Sequence, residues 1–345
     1  MENLILWLFL VPVIGGIVAG VVRKPKIADT VAVLAAGTTL VLAGAVILVT
    51  YPGTRSQLVS TWPWAKKLVV KGLFGYLVDP LGMLLLTVVA FLGFLVVAYS
   101  VSYLGRGNKE HADEEGKPRH HFWMLIFIAS MIGVALSPNL LQLYFFWEIT
   151  TVCSWALISH YRNEESLRAG FKAVLMTVSG GLFFAVALVL LYVYTGSFSF
   201  DALDKVSPHL RALLFLFFVI AAWAKSAQVP FYTWLPDAMA APTTVSMYLH
   251  AAAMVKAGVF LVARLAIANY HISFGSGLLV AVMAVVTMLV GVYLFFFQDD
   301  LKRLLAYSTI THLACILLGV GLGVMGSTTG LLGGLLHIIN HAMGK

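Results

Sequence analysis

The chain has 345 residues, of which 61% are hydrophobic and only 11% are charged, and its formal net charge is +7. Ordinary soluble domains carry about 25% charged residues, so this composition excludes a soluble enzyme, a disordered chain and a nucleic-acid-binding module. One membrane-spanning helix uses about 20 apolar residues, so the roughly 210 hydrophobic residues would supply about ten or eleven such helices. We therefore predict an all-α polytopic membrane protein with about eleven transmembrane helices.

The apolar runs give the order of the predicted spans. The first run is followed, not preceded, by basic residues, which indicates a first spanning helix rather than a signal peptide. The predicted spans cover residues 4–22, 28–50, 77–103, 121–136, 140–159, 168–194, 210–227, 243–268, 276–297, 303–325 and 328–345.

The stretch after the seventh run differs in character. In QVPFYTWLPDAMAAP (228–242), Pro230, Pro236 and Pro242 each lack a backbone N–H donor. Carbonyls freed by such breaks are costly in lipid unless protein or water satisfies them. We predict a broken seventh helix here, because broken helices in transporters often line the ion or substrate site.

Basic residues in the connections predict the orientation. Eleven Lys and Arg residues follow odd-numbered spans, Lys117 and Arg119 among them, and six follow even-numbered spans, if 210–242 counts as one crossing. The positive-inside rule then places the N-terminus outside the cell membrane and the odd-numbered connections in the cytoplasm. Four acidic residues of one such connection are predicted to form a solvated loop: Glu110, Asp113, Glu114 and Glu115.

Two ionisable residues fall where the sequence predicts lipid-embedded helix, and such residues by default mark function. Glu148 lies near the middle of its span, and Lys225 lies five residues before Pro230, where the helix should break. Either could be structural, Glu148 as a carboxylate held by hydroxyl or backbone groups and Lys225 by snorkelling to the interface. We favour a proton-binding pair, because burial disfavours a charged carboxylate whereas a nearby lysine favours it.

His250 and Lys256 share the next predicted span. They are six residues apart, about 600° around a continuous helix, so they point to different sides and could link two neighbouring paths. Arg264 is predicted to end this span. Hydrogen bonds alone could hold a lone membrane histidine in place, but for both residues we favour a role in an ion path.

The last predicted helix ends in HIINHAMGK (337–345). His337, His341 and Lys345 recur every four residues, so they share one face over about 12 Å of helix. Two histidines at this spacing can bind zinc, but the glutamate of an HExxH motif is absent and no third ligand is evident. A row of titratable groups suits proton hopping through water, and His312 in the preceding span is a further candidate.

Motifs for cofactors are not found in the sequence, which has no P-loop, GxGxxG or haem-ligand pattern. Cys153 and Cys315 lie in apolar runs without metal-binding spacing, so they are predicted to be buried thiols. We therefore expect neither a cofactor nor a metal site in this chain.

Four segments resemble one family. The longest is WAKSAQVPFYTWLPDAMAAPTTVSMYLHAAAMVKAGVFLVAR (223–264), and three others agree with it: LYFFWEITTVCSWALI (143–158), QDDLKRLLAYSTITHLACILLG (298–319) and LLHIINHAMGK (335–345). They are similar to the antiporter-like membrane subunits shared by respiratory complex I, membrane-bound hydrogenases and related ferredoxin-linked complexes, and Mrp-type cation/proton antiporters. The resemblance covers nearly everything after residue 77 and is weaker before it.

The resemblance implies a bundle of about fourteen helices with two inverted five-helix repeats. On that pattern the chain divides into N-terminal helices (1–110), a first repeat (121–268) and part of a second repeat (276–345) whose last helices are missing. The family continues to a second broken helix with a further lysine or glutamate. Another polypeptide could complete this half-channel, the sequence could be truncated at Lys345, or the subunit could be mainly a scaffold. We favour the first two, because the residues of the first half are present.

The resemblance also implies roles for individual residues. Glu148 and Lys225 match a pair formed between the fifth and the broken seventh helix, and Lys256 matches a central relay lysine. A hydrophilic axis along the middle of the membrane is matched by His250, His337, His341 and Lys345.

The implied function is translocation of H⁺, or of Na⁺ and H⁺, by a membrane subunit of a redox-driven multi-subunit complex. Iron–sulfur clusters or other redox centres would belong to partner subunits, and any oxidoreductase activity to the whole complex. Expected partners are other antiporter-like and small membrane subunits and a peripheral redox arm. The alternatives are a subunit of a non-redox Mrp-type antiporter and a non-conducting structural subunit.

Overall fold

The computed structural model describes residues 2–22, 24–50, 58–61, 74–108, 112–251, 253–269 and 271–345. Its helices are α1 (Glu2–Val21), α2 (Pro25–Thr50), α3 (Pro80–Tyr103), α4 (Lys117–Leu136), α5 (Leu140–Ile158), α6 (Glu164–Thr195), α7 (Pro208–Lys225), α8 (Trp234–Asp237), α9 (Thr243–Ala251), α10 (Met254–Ala268), α11 (Phe274–Phe295), α12 (Leu301–Val324) and α13 (Thr328–Gly344). Three short 3-10 turns add Phe200–Lys205, Phe231–Thr233 and Ala238–Ala240. Between α2 and α3, two strands pair antiparallel, β1 (Leu58–Thr61) and β2 (Gly75–Val78).

Ten helical segments of the described chain are long and apolar enough to cross a membrane. One of them runs over α9 and α10 together, and α13, with 17 residues, is shorter than the rest. The prediction of an all-α multi-pass membrane protein is confirmed, and these ten segments with α13 account for the predicted number of spans. The short strand pair in the α2–α3 connection was not predicted.

The outer surface of the bundle is apolar. α2, α6 and α11 expose large hydrophobic side chains, for example Leu34, Leu182 and Leu289. Soluble proteins rarely expose continuous apolar surface, whereas contact with lipid requires it. α10 lies at the centre, since every residue from Met254 to Leu265 is buried. The ionisable residues of α10 are therefore surrounded by protein and not by lipid.

The predicted break in the seventh helix is present. α7 ends at Lys225, and carbonyls on either side of this residue accept from side chains that follow in the sequence. The Trp234 indole donates to the carbonyl of Ala224 at 3.0 Å, and the Gln228 side chain donates to that of Ser226 at 2.8 Å. Backbone that leaves a helix inside a membrane needs such partners. The break is thus a hydrogen-bonded part of the fold, and it begins directly after Lys225.

A second interruption was not predicted. α9 ends at Ala251 and α10 begins at Met254, so the eighth predicted span consists of two helices. The angle worked out for His250 and Lys256 on one continuous helix therefore does not apply. Their relation must be taken from their contacts instead.

Candidate functional site

Lys225 is held inside the bundle at the end of α7, where its side chain is fully buried. Nζ donates to the carbonyl of Trp147 at 2.9 Å and to the hydroxyl of Thr151 at 2.6 Å. It also lies 5.1 Å from the centre of the Trp147 ring, within range of a cation–π interaction. Both partners are on α5, so this lysine joins the broken helix to α5.

Glu148 lies on α5 beside those partners. Its carboxylate and the Lys225 ammonium are close enough for their charges to interact, although no direct ion pair joins them among the described residues. Oε1 is buried, and within the described part of the chain it has no hydrogen-bond partner. α6 approaches this oxygen at Gly181, where a Cβ atom would collide with it. A carboxylate desolvated in this way next to a buried cation can gain or lose a proton as the cation moves.

Lys256 is fully buried in the first turn of α10. Its Nζ donates a short hydrogen bond to the carbonyl of Ala251, the last residue of α9. A helix C-terminus carries partial negative charge, so the ammonium lies at the favourable end of α9. Ser226, next to Lys225, donates to the carbonyl of Val255 at 2.7 Å. The two lysines therefore lie on helices that are joined through their immediate neighbours.

Three histidines meet between α12 and α13. Nδ1 of His312 and Nε2 of His337 are 3.0 Å apart, so one ring donates a hydrogen bond to the other. The ring of His312 also lies 5.4 Å from that of His341. His341 and His250 are buried, and their ring nitrogens have no partner among the described residues. Buried polar atoms are almost always hydrogen-bonded, so these rings need internal water.

The histidines lie around Lys256. His341 is close enough to both Lys256 and His250 for their charges to interact, and His337 is close enough to Lys256. Lys345, at the end of α13, donates to a backbone carbonyl of α12 at 3.1 Å. The structure thus brings the predicted residues together in two groups: Glu148 with Lys225, and Lys256 with His250, His312, His337, His341 and Lys345.

A buried ion pair near α10 was missed by the sequence prediction. Arg264 does not end a span at the surface as predicted, because it is buried and binds both carboxylate oxygens of Asp79. Asp79 also caps α3 by accepting from the N–H of Gly82 at 2.8 Å. Each charge lies at the end of an apolar run, where the sequence carries no signal that the two will pair.

A second missed group lies where α4 begins. Lys117 is the first residue of α4, and its side chain is buried. It is therefore not the loop cation that the count of basic residues used to predict the orientation assumes. Nζ of Lys117 lies 2.8 Å from one oxygen of Asp29 on α2, and Nε2 of His121 lies 2.7 Å from the other. The sequence signal was the pair of adjacent histidines, His120 and His121, just before a long apolar run.

The acidic loop before α4 is partly solvated, since the side chains of Asp113 and Glu114 are 29% and 31% exposed. Glu114 pairs with Arg106 near the surface at 2.7 Å. Oδ2 of Asp113 instead lies 3.0 Å from Nε2 of His160, which is only 2% exposed. Burial lowers the pKa of His160 to about 4, although the charge of Asp113 acts in the opposite direction. Glu110 lies outside the described residues.

Metal-binding geometry is not found in the part of the chain that the structure describes, where no three His, Cys, Asp or Glu side chains are placed to hold an ion. Cys153 is buried in α5 and Cys315 is half-buried in α12, and both thiols are free.

Comparison with known proteins decides the family. Residues 137–344 match the family described as NADH:quinone oxidoreductase/Mrp antiporter, transmembrane, and residues 70–119 match the N-terminus of chain 5 of NADH-ubiquinone oxidoreductase, complex I. This chain belongs to the NADH:quinone oxidoreductase/Mrp antiporter family. The resemblance found in the sequence is therefore confirmed, and the chain is an antiporter-type membrane protein.

The relatives include both quinone oxidoreductase subunits and antiporter subunits. The chain is 37% identical over 296 residues to the chloroplastic NAD(P)H-quinone oxidoreductase subunit 5 of Anthoceros angustus, covering 83% of this chain and 38% of the relative. It is 36% identical over 305 residues to the putative antiporter subunit mnhA2 of Staphylococcus aureus, covering 82% and 36%. A chain in the Mrp complex from Dietzia sp. DQ12-45-1b superimposes with a TM-score of 0.80 at 32% identity, covering 97% and 36%. The chain thus spans less than two fifths of these relatives' lengths.

Proposed function

We propose that this chain translocates protons, or exchanges Na⁺ and H⁺, as a membrane subunit of a redox-driven multi-subunit complex. The observation that carries the proposal is the placement of Lys225. It is a fully buried ammonium at a helix break, bonded to Trp147 and Thr151 and adjacent to the desolvated carboxylate of Glu148. A buried charge of this kind is costly, and in a membrane helix it marks an ion path.

Glu148 and Lys225 supply the switch in this mechanism. When Glu148 is ionised, its charge holds the Lys225 ammonium at α5. When Glu148 takes up a proton, that attraction is lost, and the ammonium can release its proton toward α10, which Ser226 contacts through the carbonyl of Val255. The hydroxyl of Thr151 is the hydrogen-bond partner that orients the lysine at each stage.

The second group continues the path across the bundle. Lys256 receives the proton next to the end of α9, and the nearby rings pass it on. A neutral imidazole accepts a proton on one nitrogen and releases it from the other, which the 3.0 Å contact of His312 and His337 allows directly. The proposed path is Glu148, Lys225, Lys256, His250, His341, His337, His312 and Lys345.

The organisation of the chain belongs to the same proposal. Residues 121–268 form the first five-helix repeat and 276–345 part of the second, with the N-terminus outside the cell membrane. Cysteine labelling from each side of sealed vesicles tests this orientation, since a cysteine placed at exposed Arg106 should react only from the cytoplasmic side.

The decisive variant is Glu148→Gln, which keeps the size of the side chain and removes its charge. In sealed vesicles that contain the assembled complex, we expect ion translocation to fall roughly a hundredfold or more, as when a proton-transfer group is removed. Glu165→Gln, at an exposed position of α6, is the matched control. Full translocation with Glu148→Gln would overturn the proposal and favour a structural subunit.

A second candidate function is that of a subunit in a non-redox Mrp-type antiporter. It is supported by the antiporter relative of Staphylococcus aureus and by the Mrp complex that shares this fold at 32% identity. Purification of the intact complex separates the two functions. Hydrophilic subunits with iron–sulfur clusters support the redox function, whereas membrane subunits alone, with a pH gradient set up by added Na⁺, support the antiporter.

A further inference from the structure

Three buried histidines form a group that the proposed ion path does not use. They are His120 and His121 on α4 and His160 after α5, and we call them the histidine cluster. The ring of His120 lies 5.6 Å from that of His121 and 5.3 Å from that of His160, edge to face in both cases. The cluster is 0–2% exposed. It lies where α2 and α4 begin and α5 ends, at one end of the bundle.

Each end of the cluster is joined to a carboxylate. An ionised carboxylate only accepts hydrogen bonds, so Nε2 of His121 donates to Asp29 at 2.7 Å. At the other end, Nε2 of His160 lies within ion-pair distance of Asp113, at 3.0 Å but outside hydrogen-bond geometry, and the Asp113 side chain is 29% exposed. Asp113 therefore connects the buried rings to solvent.

The middle of the cluster requires water. Both ring nitrogens of His120 and Nδ1 of His121 are buried without a partner among the described residues. Because buried polar atoms are nearly always hydrogen-bonded, water must reach these nitrogens. No metal explains the arrangement, because within the described chain these side chains do not converge as a metal site requires.

Buried hydroxyls of α5 and of the residue that follows it, Ser159, lie between the cluster and the ion path. Ser159, next to His160, has a buried Oγ with no partner in the described chain. Ser154 donates to the carbonyl of Thr151 at 2.8 Å, and Thr151 binds Lys225. From Thr151 to Ser159 the chain rises about 12 Å, which is the distance that transfer along α5 has to cover.

We propose that the histidine cluster is a second proton-transfer site, filled from solvent through Asp113 and emptied along α5 toward Lys225. This inference rests on the proposed function, because the residue that receives the protons, Lys225, belongs to the proposed ion path. Each neutral ring takes a proton on its bare nitrogen and releases the other proton, so no net charge stays on the cluster. His160 and His120 are the transferring residues, and Asp29 fixes the tautomer of His121.

The surrounding charges keep the rings in this neutral, transferring form. Among the described residues, two carboxylates and three cations face the cluster, so an imidazolium would add to a positive excess there. The facing groups are Asp29 from α2, Tyr103 from α3, Asp113 from the loop before α4, Lys117 and Arg119 from α4, and Tyr161 and Arg162 from the loop after α5.

Exchange of the ring C2 hydrogen for deuterium tests the site without any transport. This exchange needs both protonation of the ring and contact with water. Each transfer passes through a brief imidazolium, so in the intact complex we expect His120 and His160 to exchange slowly but measurably, with exposed His209 as the positive control. Absence of exchange at His120 would mean that the rings only fill space, and the proposal would fail.

Transport then tests the direction of transfer. His120→Phe and His160→Phe keep an aromatic ring and remove its nitrogens. We expect each to lower translocation about tenfold at alkaline pH, where protons are scarce, and less at acid pH, while His209→Phe has no effect. Added imidazole should restore the translocation rate of His160→Ala. A molecule that only refilled the cavity, without a titratable nitrogen, would not restore it.

The outcomes separate this inference from the proposed function. If Glu148→Gln abolishes translocation while both phenylalanine variants keep the full rate at every pH, the histidine cluster does not deliver protons. If Glu148→Gln also keeps the full rate, the proposed function fails, and ring exchange alone decides whether the cluster takes up protons. Where a phenylalanine variant does not assemble, exchange in the unaltered complex and imidazole rescue give the answer.

Discussion

Thr151→Val tests the role of Lys225 without touching either charged residue. Valine matches threonine in shape, so the substitution removes only the hydroxyl, which accepts from Lys225 at 2.6 Å and donates to the carbonyl of Trp147 at 3.2 Å. The ammonium then keeps the carbonyl of Trp147, at 2.9 Å, as its remaining partner on α5. Thr151 is 1% exposed, so bulk water cannot replace its lost hydroxyl.

The expected effect follows from the strength of that hydrogen bond. A hydrogen bond to a charged group contributes about 1.5–3 kcal/mol, and about 1.4 kcal/mol corresponds to tenfold. If the charged form of Lys225 takes part in the slow step, translocation should fall by about tenfold to a hundredfold. Assembly of the complex should be unchanged, because valine keeps the β-branched shape of threonine.

Thr150→Val is the matched control on the same helix. Thr150 is equally buried, and its hydroxyl donates to the carbonyl of Trp147 at 2.6 Å without contacting Lys225. Proton uptake by energised vesicles is measured for both variants at equal amounts of assembled complex. Equal rates for Thr150→Val and Thr151→Val would refute the assignment of Thr151 as a partner of the transporting lysine.

Three further variants address other parts of the structure. Gly181→Ala places a Cβ against the carboxylate of Glu148 and should slow translocation about tenfold, as measured by the pH gradient. Asp79→Asn leaves the buried Arg264 unpaired and should destabilise the protein by about 3–5 kcal/mol, seen as a lower thermal midpoint of the purified complex. The pKa of His160 is about 4 in the folded protein and near 6.5 in the unfolded chain, so the unfolded state binds the proton first as the pH falls. Stability should therefore fall between about pH 6.5 and 4. His160→Phe should flatten that slope in acid-unfolding curves.

Controls for these variants lie elsewhere in the chain. Gly333→Ala meets no atom within 4 Å and should leave translocation unchanged. Asp201→Asn removes an exposed ion pair with Lys205, which contributes only about 0–1 kcal/mol. A normal pH gradient with Gly181→Ala, an unchanged midpoint with Asp79→Asn, or an unchanged acid slope with His160→Phe would each contradict the corresponding expectation.

The spans and the charges inside them could be predicted because both leave a local signal. Glu148 and Lys225 interrupt apolar runs, and the prolines after Lys225 predict the end of α7. The interruption between α9 and α10 has no such signal, since the sequence there is Ala-Ala-Ala-Met (251–254) without proline or glycine. A side-chain bond spans it instead, from Lys256 to the carbonyl of Ala251 at the end of α9.

Long-range pairs could not be predicted for the same reason. Asp79 and Arg264 are 185 positions apart, and each alone looks like a charge that ends a span. Lys117 was placed in a loop because basic residues before an apolar run usually are. Its burial is explained by Asp29 on α2 and by the carbonyl of Val101 on α3, to which Nζ donates at 2.9 Å. Sequence patterns locate a charge along the membrane normal, but they do not tell which helix faces it.

The contact between Lys256 and the carbonyl of Ala251 has a mechanical consequence. The ammonium is held by the negative end of α9, so the position of the last turn of α9 and the proton affinity of Lys256 are thermodynamically linked. Such linkage is reciprocal. A subunit that pushes on α9 would change the occupancy of a proton site, and a proton arriving at that site would pull on α9. One hydrogen bond thus connects the movement of charge with the movement of backbone.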